Sequence, residues 1–300
     1  MAELLDLHKE FHLGNKFTLT FAEKLAELLP DKFRVIVKYD LQETPVFDDG
    51  LLNLIVATSR ETHSIPNDFF RNDIYAILQN YFMLDKWGDP IYNPLAYPMP
   101  IGTFVDFDDM PEIKPLPERK YDFSFVGQIP HTGTRDCFKR NLDNLIKETG
   151  DKFNYFVEYT DGFNQGLSKK EYLDLLNDSK IVLCPCGAYS QETFRFFEVI
   201  KMGAFPMVEN LPRLWYYESA PFFRSKWHEL DKRLSQALNF LGSPSCRDML
   251  YSLASYNQTI LDESALANHM VSQLTKRDSN DPTALARSLE EIRSIAKEYV

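Results

Sequence analysis

Three charged side chains recur at intervals of three within SQETFRFFE: Glu192, Arg195 and Glu198. On a helix such positions are neighbours, so Arg195 would stand between two carboxylates. Two chemistries fit that pattern. A guanidinium held in a fixed orientation can grip an anionic ligand through two hydrogen bonds. Alternatively, the three residues pair with one another on a solvated helix face and hold nothing. Ser190 can cap the start of the helix, and Glu192 near that start complements the positive end of the helix dipole. Upstream, Arg135 follows the glycine of KYDFSFVG, Gly127, and offers a second cation near the start of another helix.

The elements that must position these residues follow from hydrophobic pattern. Lys180 to Pro185 is a short apolar run ended by proline, which predicts a strand covered on both faces. Gly187 opens a polar loop, a helix is expected from about Gln191 to Met202, Gly203 stops it, and Ala204 to Val208 resumes as a strand. The result is a βαβ unit with a right-handed crossover. Phe194, Phe196, Phe197 and Ile200 form the expected buried side of its helix.

The same alternation runs through the chain. Phe17, Phe21, Leu25, Leu28 and Leu29 recur at three- and four-residue spacing and predict an amphipathic helix over 16–29 that ends before Pro30. Phe33 to Val37 and Leu51 to Thr58 read as buried strands, and Asn67 to Phe82 reads as a helix with Ile74, Ile77, Leu78 and Tyr81 inward. Seven prolines between Lys86 and Glu118 close off helical structure, and a linker is expected at Glu112 to Arg119. A second α/β series follows: a strand at Lys120 to Gly127, a helix over 134–147, a strand over 153–158 and a helix over 171–176. From Leu230 onward the periods are helical. Strand, loop and helix in alternation predict parallel sheets with covered faces, which bind ligands at the carboxyl ends of their strands. The expected domains are 1–115, 116–245 and a helical tail over 246–300 that could pack back on the first domain.

Composition narrows the function. Apolar residues at 44% and charged residues at 26% are globular values, and 300 residues suit two domains. A net charge of −11 argues against a broadly basic surface for nucleic acid. No apolar run reaches membrane-spanning length, and the opening MAELLDLHKEF lacks a leader pattern. The expectation is a cytoplasmic protein of a bacterium or a virus-infected host cell, with peripheral membrane association left open. Cys184 and Cys186 lack CxxC spacing and read as ordinary thiols, like Cys137 and Cys246.

KYDFSFVG, the loop with Arg135, and EYLDLLNDSKIVLCPCGAYSQETFRFFEVIKMGAFPMV together resemble the exostosin-type glycosyltransferases. The resemblance is dense over 120–208 and vague before it. The chain departs from that pattern at Met207, where valine or isoleucine is usual, and at Cys186, where arginine is frequent. The resemblance implies a GT-B fold, two Rossmann-like domains facing across a cleft. It also implies inverting, metal-independent transfer from a nucleotide sugar, such as a UDP-sugar, to a glycan or glycoside hydroxyl. The donor diphosphate gains charge as it leaves, and helix-start amides with basic side chains can neutralise it. The donor-binding residues expected on this basis are Gly127, Arg135, Gly187, Ser190, Glu192, Thr193, Arg195 and Glu198. Glu198 is expected on the ribose hydroxyls, and Glu192 on the sugar or on Arg195.

The base that takes the acceptor proton is expected from the first domain, with Glu61, His63 and Asp73 as candidates; His12, near Gly14, is a further possibility. No cofactor and no metal are expected. Two alternatives carry other chemistries: a non-catalytic glycan- or nucleotide-binding protein on the same fold, and a metal-dependent GT-A transferase using Asp106 and Asp108 of DFDD.

Overall fold

The computed structural model describes residues 1–7, 16–39, 46–58, 73–81, 95–129, 134–162, 165–187 and 191–280. The chain divides into two compact units, one comprising Met1–Ile101 with the chain from Asp262, the other Gly102–Leu261.

Unit one holds β1 (Glu3–Asp6), α1 (Lys16–Leu28), β2 (Phe33–Lys38), β3 (Leu52–Ala57), β4 (Ile74–Gln79) and β5 (Ala96–Pro98). The five strands form one parallel sheet in the order β1-β2-β3-β4-β5. Every residue of FRVIVK and IYAILQ is buried, as an inner strand of a covered parallel sheet requires. One face packs Ile36, Ile55, Ala57, Ile74 and Ile77 with Leu7 and Phe47.

Ile74–Gln79 corrects the expectation of a helix. Its apolar residues also fit a helical period, but a short run apolar on every side cannot be assigned from period alone. Flanking strands on both sides, with isoleucine and tyrosine in the run, decide for strand. In α1, Phe17, Phe21 and Leu25 are buried as the spacing requires, while Leu28 is exposed.

Unit two holds β6 (Tyr121–Gln128), α2 (Thr134–Thr149), β7 (Tyr155–Thr160), α3 (Lys169–Asn177), β8 (Ser179–Leu183), α4 (Phe194–Lys201), β9 (Phe205–Val208), α5 (Trp215–Glu218), β10 (Phe223–Arg224), α6 (Leu230–Leu241) and α7 (Arg247–Thr259). Its strands form a second parallel sheet, β10-β9-β8-β6-β7. The two Rossmann-like sheets expected of a GT-B chain are both present, one in each unit. The helical C-terminal region is present too. Its last described helix, α8 (Glu263–Asn280), belongs to unit one, where the Tyr75 hydroxyl meets the Leu274 carbonyl at 3.5 Å.

Arg119 fastens the start of unit two. Its buried guanidinium donates to the carbonyls of Lys114 (3.0 Å), Leu176 (3.3 Å), Ser179 (2.9 Å) and Met202 (3.0 Å), of which Leu176 and Met202 stand at the ends of α3 and α4. Burial pulls its pKa down to about 10, so it stays cationic near neutrality. Gly203 ends α4 at φ +70, a left-handed position, and a β-carbon there would crowd Ile113 and Arg119. No described helix is long and apolar enough to cross a membrane.

Candidate functional site

The carboxyl edge of the second sheet gathers several of the expected residues. β6 ends in Gly127 and Gln128, and β8 runs out through Cys184 and Cys186 to Gly187. The helix after β8 starts later than expected. Thr193 is its N-cap, in extended conformation, and makes no capping bond with its side chain. Ser190, the expected cap, lies outside the described residues.

Arg195, in the first turn of α4, reaches back over β6. Its Nη2 donates to the Val126 carbonyl, and its guanidinium carbon stands 4.8 Å from the centroid of the Phe125 ring. A β-carbon on Gly127 would collide with that same Nη2, so the glycine is what lets the guanidinium lie there. Arg195 Nε is buried and meets no hydrogen-bond partner among the described residues. Arg135, in the first turn of α2, donates from Nε to the Cys186 carbonyl and from Nη1 to the Gln128 carbonyl, each at 2.7 Å. It thus clamps the ends of β6 and β8 together. The two arginines reach carbonyls two residues apart on one strand end, a concentration of positive charge where a doubly wound sheet takes its ligands.

The carboxylates behave differently. Glu198 is 4% exposed; its Oε1 accepts from the amides of Phe104 (3.0 Å) and Val105 (3.1 Å), and its Oε2 from the Tyr172 hydroxyl (2.8 Å). A carboxylate offers about four acceptor positions, so the two-bond grip on a ribose diol is not free in this arrangement. Burial raises the pKa of Glu198 despite those donors, and raises Tyr172 well above its ordinary value. Glu192 is also buried and accepts from the hydroxyls of Tyr216 (2.6 Å) and Tyr217 (3.2 Å), which ties the approach to α4 onto α5. The hydrogen bonds of the i, i+3, i+6 triad thus go three ways, although the Arg195 charge still acts to lower the Glu198 pKa. Tyr172, Tyr216, Tyr217 and the Phe104–Val105 amides carried no spacing signal, because all of them lie outside the helix that bears Glu198 and the approach that bears Glu192.

Burial drives the Cys184 thiol up to about 12 and raises that of Cys186; both are free thiols, as expected. Asp106 accepts from the Asp108 amide at 3.0 Å and lies 3.8 Å from Lys169, the geometry of a turn with an ion pair. Among the described residues, no group of His, Cys, Asp and Glu is arranged to hold a metal.

Of the candidate bases, Asp73 was expected on a helix beyond the second strand. It instead precedes β4 at the amino edge of the first sheet, accepting from Asn53 Nδ2 at 2.9 Å. That is the edge opposite the one where parallel sheets hold ligands. Glu61, His63 and His12 lie outside the described residues.

A comparison with curated proteins gives no match. Among solved structures, the chain is similar to AviGT4, a glycosyltransferase involved in avilamycin A biosynthesis, at 13% identity over 89% of this chain and 90% of that one, with a TM-score of 0.49. It is similar to a glycosyltransferase from Rickettsia africae at 10% identity over 92% and 98% of the two chains, with a TM-score of 0.47. An alpha1,3-fucosyltransferase aligns at 12% identity over 87% and 91%, with a TM-score of 0.44. Residues 107–241, the span that carries Gly127, Arg135, Glu192, Arg195 and Glu198, match the family model of the RXYLT1 C-terminal domain.

Proposed function

We propose that the protein is an inverting, metal-independent glycosyltransferase that moves a sugar from a UDP-sugar to a hydroxyl of a glycan or glycoside. The observation that carries this reading is the convergence of Arg135 and Arg195 on the carboxyl edge of the second sheet, inside the matched span 107–241. In this reading the acceptor oxygen attacks the anomeric carbon from the face opposite the diphosphate. The bond to the diphosphate oxygen breaks, and the acceptor proton passes to a base.

The charge that builds on the leaving diphosphate needs donors already in place. Arg195 Nε, the Thr193 hydroxyl and the first amides of α4 supply them, with Gly187 allowing close approach of the backbone. Arg135 adds charge and fixes the two strand ends. Glu198 and Glu192 act by positioning: the first binds the Phe104–Val105 segment to α4, and the second binds the approach to α4 onto α5. Glu61 and His63 are the proposed bases.

A thermal-shift screen against the common nucleotide sugars, followed by a transfer assay on the best binder with and without EDTA, tests the proposal. A UDP-sugar that raises the melting temperature and is turned over in EDTA supports it, since a ligand of the native state stabilises that state. Stabilisation by no nucleotide sugar overturns it, and so does activity that EDTA abolishes.

A further inference from the structure

The chain passes between the two units twice, from Ile101 to Gly102 and from Leu261 to Asp262. Within unit two, both passages are tied to one helix. At the first, the Phe104 and Val105 amides donate to Glu198 at 3.0 and 3.1 Å, and the ring centroids of Phe104 and Phe194 are 5.5 Å apart. At the second, Lys201 Nζ donates to the Leu261 carbonyl at 2.9 Å, and Asn257 Nδ2, just upstream, donates to the Ile200 carbonyl at 3.0 Å. Phe194, Glu198, Ile200 and Lys201 all belong to α4, whose first turn carries Arg195.

These ties are buried. Glu198 is 4% exposed and Leu261 fully covered, so an amide or carbonyl released from α4 would lose its partner where water is scarce. The helix has eight residues and is about 12 Å long, a single hydrogen-bonded body. Its first turn faces the proposed diphosphate, and its later turns hold both passages. A ligand that orders the start of α4 makes the contacts that depend on α4 harder to open. Those contacts in turn favour the ligand, because coupling between two sites is reciprocal.

We propose that α4 couples donor binding to both passages: a nucleotide diphosphate on Arg195 tightens the hold of Glu198 on Phe104–Val105 and of Lys201 on Leu261. The coupling rests on the donor reading of Arg195. It makes Lys201 a further positioning residue, one that acts on the donor through α4.

The test is hydrogen exchange of the full-length protein with and without saturating UDP, beside a calorimetric titration of UDP. Exchange reports local opening. The reporters are the amides of Phe104 and Val105 and those of Ile260 and Leu261, which donate to the Tyr256 carbonyl; peptides from α6 are the control. UDP should slow exchange at both passages at least about fivefold and leave α6 unchanged. UDP that binds but slows neither passage, slows only one, or slows α6 equally overturns the coupling and leaves the donor reading standing. Absence of UDP binding overturns both. Lys201→Met should abolish the slowing at Ile260 and Leu261 and weaken UDP at least about fivefold; slowing that persists, or a smaller loss of affinity, overturns the coupling. If that variant does not fold, the exchange of wild type decides alone.

Discussion

Arg195 and Gly127 occupy each other's space: the guanidinium lies where a side chain at 127 would have to be, and donates to the Val126 carbonyl beside it. The glycine at the end of β6 thus answers two demands, a φ of +156 and the room taken by an arginine on α4. Gly127→Ala should displace the guanidinium and also strain the backbone at the end of β6. The expected outcome is a loss of UDP affinity of about tenfold or more, near 1.4 kcal/mol, with an unchanged far-UV circular dichroism spectrum. Calorimetry on both proteins measures it; equal affinities would remove Arg195 placement from the account.

Tyr172→Phe deletes the hydroxyl that donates to Glu198 Oε2 and leaves that oxygen buried. The cost should be about 1–3 kcal/mol of stability, the penalty for an unpaired buried polar group. Urea denaturation of variant and wild type is the check, and a change under about 0.5 kcal/mol would mean that solvent reaches the carboxylate.

Arg119 holds four carbonyls from three segments. Arg119→Met keeps much of the packing and leaves those acceptors buried, so a loss of about 3 kcal/mol or more is expected. Lysine should not rescue it, because a single ammonium cannot reproduce the planar fork that reaches all four. Denaturation of the two variants decides the point: recovery by Arg119→Lys would assign the stabilisation to charge alone.

The raised pKa of Glu198 gives a pH signature. Burial is the main cause and outweighs the donations from Val105, Tyr172 and Phe104. The folded chain therefore binds this proton more tightly than the unfolded chain does. The stability that linkage contributes is fully present below the ordinary value of 4.5 and is lost as pH rises through the higher folded value. The melting temperature of wild type minus that of Glu198→Gln should be largest at low pH and shrink as pH rises through that window. A difference that grows with pH would contradict the burial argument.

Much of this was legible in the sequence, for reasons specific to each element. The βαβ unit around α4 announced itself because a buried strand, a glycine stop and a second buried strand each leave a local mark. The carboxyl-edge placement of Gly127, Arg135 and Arg195 followed from where strands end. The strand Ile74–Gln79 was hidden, since a run buried on all sides has no polar face to set its period. The surroundings of Glu192 and Glu198 were hidden more deeply. Their tyrosine and amide partners lie 93 and 94 residues upstream at Val105 and Phe104, 26 upstream at Tyr172, and 24 and 25 downstream at Tyr216 and Tyr217. Such contacts are set by topology and not by spacing along a helix, so the tyrosine and amide partners of these acids left no mark near them in the sequence.

The central claim is that Arg195 belongs to a nucleotide-diphosphate site on the second unit. Calorimetric titration of wild type and Arg195→Ala with UDP tests it most directly. Saturable binding to wild type is expected, with a loss of at least about tenfold in the variant and an unchanged far-UV circular dichroism spectrum, while the melting temperature falls with the lost Val126 hydrogen bond and Phe125 contact. UDP binding of equal affinity in both proteins, or none in wild type, would contradict it.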